Sequence, residues 1–103
     1  MIRYAELILI TEDPTAHGVG EGTKEIRRRR TCEVRSVSQT ETYLAMGQGL
    51  NPELKVRLAY ESDYNDERIC ILEGKRYRIL RTYIPETNGI ELVLQRETKN
   101  AMG

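Results

Sequence analysis

Residues 54–61, LKVRLAYE, alternate without a break. Leu54, Val56, Leu58 and Tyr60 share one parity, and Lys55, Arg57, Ala59 and Glu61 share the other. Successive side chains of a strand point to opposite faces, so the pattern predicts a strand with one face in a core and one in water. Shorter versions recur along the chain. Residues 4–11, YAELILIT, are apolar and β-branched, which predicts a strand buried on both faces near its middle. In 24–37, KEIRRRRTCEVRSV, Ile26, Cys32 and Val34 oppose Arg27, Arg29, Thr31, Glu33 and Arg35. Arg28 and Arg30 fall on the apolar parity. They lie beyond the core edge or a bulge shifts the register. Residues 68–73, 76–84 and 90–97 complete the set. In the fifth strand Tyr77, Ile79, Arg81 and Tyr83 oppose Arg78, Leu80 and Thr82; in the last, Ile90, Leu92 and Leu94 share a face.

The punctuation between these runs narrows the architecture. Residues 12–23 hold a Pro, three Gly and two Thr, and read as a long loop or a wide hairpin tip. Ser38-Gln39-Thr40-Glu41 fits a capping box, in which Ser38 accepts from the Glu41 amide and Glu41 reaches back. That predicts a helix over about 39–46, closed by a left-handed Gly47. Gly74-Lys75 reads as a tight turn. About six short strands and one short helix after the second predict a mainly β fold, a small barrel or sandwich; the interrupting helix favours an antiparallel β-barrel of five or six strands with long loops. A chain of 103 residues is one domain, here 1–97, with 98–103 as a frayed tail. It can bury roughly 65% of its unfolded surface.

Several chemistries find no support. His17 is the sole histidine and sits in the Gly-rich loop, without a nucleophile motif beside it. Gly18-Val19-Gly20-Glu21-Gly22 precedes a basic strand rather than a helix, so it is no phosphate fingerprint. The acids Glu61, Asp63, Asp66 and Glu67 lack the order of a calcium loop. Cys32 and Cys70 have core parity and no zinc spacing, and read as buried thiols of a reducing compartment. The sequence therefore predicts no catalytic residues, no cofactor and no metal. No apolar run is long enough to span a membrane, and the first ten residues lack the marks of a signal peptide.

Charge is the unusual feature. The formal net charge is zero, with 16 basic and 16 acidic residues. Yet residues 24–35 carry six basic side chains against two acidic ones, and residues 61–67 carry four acids. One reading is a solvated edge strand protected from aggregation. The other is an interface, in which Arg27, Arg28, Arg29 and Arg30 of one subunit or an adaptor contact meet Glu61, Asp63, Asp66 and Glu67 of the next. Such heterologous contacts close into rings when the rotation permits.

Three segments in order, SVSQTETYLAMGQGLNPE, DYNDERICILEGKRYRILRTY and IELVLQRE, resemble the head closure proteins of tailed bacteriophages, also described as head–tail joining or stopper proteins. The resemblance covers about residues 4–97 and rests on a V-S-Q-x-E-x-Y-x-A helix, a Gly-Lys/Arg-x-Tyr-x-Ile hairpin and an I-E-L strand. The RRRR run and the GVGEG loop lie outside it. It implies a small β-barrel assembled, about twelve copies to a closed ring, beneath the portal and adaptor proteins at the head–tail junction of the virion, after assembly in the host cytoplasm. It also implies a lumen through which genomic DNA passes without sequence recognition, and a docking surface for the tail. The segment that would line the channel or dock a partner is 38–52, with Ser38, Gln39, Glu41, Tyr43, Gly47, Gln48, Gly49 and Asn51 as its polar and hinge positions. Residues 12–23 and 38–52 are expected to be mobile in an isolated subunit. Two rivals remain: a tail terminator ring protein, and a small-barrel nucleic-acid-binding module using Arg27–Arg30. No aromatic lies between Tyr4 and Tyr43 to stack on bases.

Overall fold

The structure, a computed structural model, describes residues 2–13 and 24–97. The expectations for His17, for Gly18–Gly22 and for the 98–103 tail lie outside them. The elements are β1 (Arg3–Asp13), β2 (Lys24–Arg35), α1 (Gln39–Met46), β3 (Leu54–Leu58), a 3-10 turn (Glu61–Asp63), β4 (Ile69–Leu72), β5 (Lys75–Tyr83) and β6 (Ile90–Arg96). The six strands close into a barrel in the order β1-β2-β3-β6-β5-β4. Every neighbouring pair is antiparallel. The mainly β, six-stranded barrel read from the periodicities is the fold.

Alternation builds the interior. Leu7 and Leu9 of β1, Cys32 of β2, Val56 and Leu58 of β3, Cys70 and Leu72 of β4, Tyr77 of β5, and Ile90, Leu92 and Leu94 of β6 form one buried cluster. The registers stack them: Cys32 faces Ala5 and Leu58, while Leu9 faces Cys70. Closure removes most free strand edges, which is how a small β protein avoids uncontrolled pairing.

Four local readings need correction. The third strand stops at Leu58, and Tyr60 is 68% exposed rather than inward. The chain leaves the wall there for the 3-10 turn. In β1, Ile10 is buried alongside Leu7 and Leu9, but Ile8 is only half-buried and Glu6 is exposed, so double-sided burial is confined to one residue. The β4–β5 turn is Glu73-Gly74, not Gly74-Lys75: both central residues have positive φ, 52° and 78°, and Lys75 already pairs with Leu72. Two left-handed residues give the twist that a two-residue hairpin requires. In β5 the register shifts between Ile79 and Arg81. Leu80 is the extra residue, so Arg81 and Tyr83 move to the face opposite Tyr77 and Ile79.

Candidate functional site

The segment from Ser38 to Pro52 stands on the outer wall of the barrel. The Ser38 hydroxyl accepts from the Glu41 amide at 3.1 Å, which satisfies one of the free donors of the first turn. The reciprocal half of the capping box is absent. The Glu41 carboxylate instead accepts from Lys55 Nζ at 2.8 Å, tying the helix to β3. Lys55 lies 3.9 Å from Glu91, and Arg35 joins Glu91 to Glu33. The outer face of β2, β3 and β6 thus carries a charge network that ends on the helix.

The C-terminal cap also differs from expectation. Gly47 is right-handed, with φ −63°, and Gly49 has the left-handed φ of 78°. The Leu50 amide donates to the Ala45 carbonyl and the Gly49 amide to the Met46 carbonyl, each at 3.0 Å. This is a Schellman closure around Gly49. The Asn51 amide then donates to the Gln95 side chain at 2.9 Å, and the Glu53 amide to the Leu94 carbonyl at 2.8 Å. A shallow cleft lined by Leu44, Ala45, Leu50, Pro52, Leu80 and Val93 separates helix from wall.

No residue of α1 is buried. Tyr43 is 81% exposed, Leu44 67% and Met46 61%. Gln39, Gly47, Gln48, Gly49 and Asn51 are exposed, and Glu41 is half-buried by its ion pair. The expected segment is therefore brought together on one accessible ridge. Leu44 and Met46 were not anticipated as part of it. Both lie in a helix read for its polar residues, and nothing in the local pattern says that its apolar side finds no barrel to cover it.

The basic run behaves differently. Arg28 is in register with Leu9 and Arg30 with Leu7, so both point to the inner side of the wall, beyond the end of β3. The crossover from β3 to β4 closes that mouth. The Arg28 guanidinium donates twice to Glu67 Oε2 and once, at 2.8 Å, to the Asp63 carbonyl. Glu67 has a fully buried side chain. Its other oxygen accepts from the Asn65 amide at 2.7 Å, and the Tyr64 hydroxyl donates to its carbonyl. Arg30 Nε donates to Asp63 at 3.1 Å. Two guanidinium N–H groups converge on one carboxylate oxygen and a backbone donor holds the other, so the buried charge is met by hydrogen bonds as well as by its counter-charge.

Five of the eight residues expected at an intermolecular interface are thus engaged within the chain: Arg27, Arg28, Arg30, Asp63 and Glu67. Arg27 pairs with Glu25. Arg29, Glu61 and Asp66 are exposed. The two opposite patches form a lid on one barrel rather than a pair of separated contacts.

Cys32 and Cys70 are buried and free. Burial pushes the Cys32 thiol up to about 11 and the Cys70 thiol up to about 12. Nucleophilic chemistry needs the opposite shift. Burial also raises the Tyr64 hydroxyl, reinforced by Asp66 and Glu67, which keeps it a donor. Among the described residues no cluster of three potential metal ligands occurs. No protein-family model matches the chain, and no curated protein is significantly similar to it.

Proposed function

We propose that this chain is a structural subunit of a tailed-phage virion: a head closure protein that joins its copies in a ring below the portal and adaptor, completes the DNA channel after packaging and offers the tail a docking surface. It acts without catalysis or cofactor. The observation that carries the reading is the ridge 38–52. It is placed after the second strand of a small closed barrel, held by Ser38, Lys55 and Gln95, and presents Tyr43, Leu44 and Met46 to solvent. No residue of its eight-residue helix is fully buried. Helices this short gain most of their stability from packing, so a partner is the natural source of the missing contacts. The three resembling segments fall on α1, on the β4–β5 hairpin and on β6.

The engagement of Arg28 and Arg30 with Glu67 and Asp63 weighs against the nucleic-acid module. Phosphate affinity follows the number of available cations, and these two already have counter-charges.

Electron microscopy of lysates from a phage lacking the gene tests the proposal. Separate finished tails beside heads that leak DNA are expected. Heads that retain DNA beside tubes of abnormal length would assign the chain to tail termination instead. Intact infectious particles would overturn both.

A further inference from the structure

Two stretches of sheet edge remain open although the barrel closes. β2 pairs with β1 from Lys24 to Val34, but β3 covers its other side only from Cys32 to Arg35. β1 has β4 on its other side only from Leu7 to Ile10. Among the described residues, no backbone hydrogen bond outside the ladders reaches Tyr4–Glu6 or Ile26–Thr31. The Arg29 carbonyl accepts instead from the Arg30 guanidinium at 2.7 Å, so it faces the open side. The N–H and C=O of one residue in an antiparallel ladder point to the same neighbour, and the direction alternates along the strand. Arg27, Arg29 and Thr31 therefore present their backbone groups to the open flank of β2. By the same alternation Tyr4 and Glu6 present theirs to the open flank of β1.

We propose that the open flank of β2 in one copy takes the start of β1 from the next copy as an added antiparallel strand, with Glu6 opposite Arg29 and Tyr4 opposite Thr31. This rests on the ring reading above and names its contact. Charge selects this pairing over the symmetric one. Two β2 flanks paired antiparallel would set Arg29 against its own equivalent, or Arg27 of each copy against Arg29 of the other, and like charges directly opposite are unfavourable. Glu6 and Arg29 are both exposed and lie on the outer face, in register with Thr31 and Ile8 within the chain. Strand addition gives main-chain hydrogen bonds, and the flanking side chains give the selectivity. The two flanks belong to different strands, so the contact is heterologous and propagates from copy to copy until it closes.

Sedimentation velocity of the purified chain tests this with two charge reversals, Glu6→Arg and Arg29→Glu. The wild type is expected to assemble with rising concentration. Each variant alone is expected to remain a monomer, because its flanks repel. An equimolar mixture is expected to regain assembly, since each flank then meets an opposite charge in the other variant. Rescue by mixing also shows that both variants fold. A monomeric wild type throughout its soluble range overturns the contact, as does either variant assembling alone like the wild type. In the second case ring formation stands and only the edge pairing fails. The deletion lysate decides the head-closure reading independently of either result.

Discussion

The side chain with the greatest structural consequence is Glu67. Its carboxylate is removed from water entirely and held by Arg28 and the Asn65 amide. Removing one member of such a pair leaves the other partly buried without a counter-charge. Arg28 keeps 25% of its side-chain surface exposed, so water recovers part of that cost. Glu67→Gln should lower stability by about 2 kcal/mol, read as a fall in the urea midpoint at unchanged slope. Glu61→Gln, on an exposed neighbour, should change it by less than about 0.5 kcal/mol. A midpoint unaffected by Glu67→Gln would mean that the lid contributes nothing to folding. The sequence placed Arg28 and Arg30 on the apolar parity of their strand. It could not say what would meet them there, because the answer lies 33 to 39 positions away in a segment that reads as an acidic tip.

At the scale of elements, the helix shows how a correct boundary can carry a wrong cap. Ser38 and the span 39–46 follow from local chemistry, since a hydroxyl three residues before an amide can close on it whatever surrounds it. The left-handed position does not, because Gly47 and Gly49 are equally permissive. Which of them turns depends on where the chain must go next, and Gln95 and Leu94 anchor Asn51 and Glu53 to β6. The two glycines should therefore respond oppositely to alanine. At Gly49 nothing lies within 4 Å of an added Cβ, but φ is +78°. Gly49→Ala should cost about 1 kcal/mol of helix closure. At Gly47 φ is right-handed and the nearest atom, the Leu44 carbonyl oxygen, is 3.5 Å away. Gly47→Ala should be neutral or stabilising by up to about 1 kcal/mol. Helix populations from Cα chemical shifts of 39–46 check both, and equal losses would refute the assignment of the cap.

For the whole molecule, closure of the barrel sets the response to pH. Cys32 and Cys70 sit in the interior, and their thiols ionise near 11 and 12 instead of near the ordinary 9.0. Between these values the unfolded chain releases thiol protons that the folded chain retains. Stability contributed by the thiols is then fully present below about pH 9 and declines as the pH rises toward the folded values. Urea midpoints should fall as the pH rises from about 9 toward about 12, and the fall should shrink in Cys70→Ala after allowance for the cavity. An unchanged slope in that variant would place the alkaline loss elsewhere. Overall dimensions tell the same story of closure with one extension. The Cα radius of gyration is 14.9 Å with axes of 47, 35 and 22 Å, against about 13 Å for a compact chain of this length. The β1–β2 ladder runs past β4 at Ile10 out to Asp13–Lys24, and a two-stranded ribbon adds length without core.

Strand existence, strand parity short of the end of β3 and the bulge in β5, the helix and its N-cap were legible in the residues, because each depends on neighbours within about four positions and on which face meets water. The six-stranded barrel followed from counting them. Decisions that join distant parts of the chain were not legible. These are the end of β3 at Leu58, the bulge at Leu80, the capture of Glu67 by Arg28, and the exposure of Leu44 and Met46. Each is a competition between a local preference and a contact supplied by another strand or by the crossover. Only the closed barrel brings those competitors within reach.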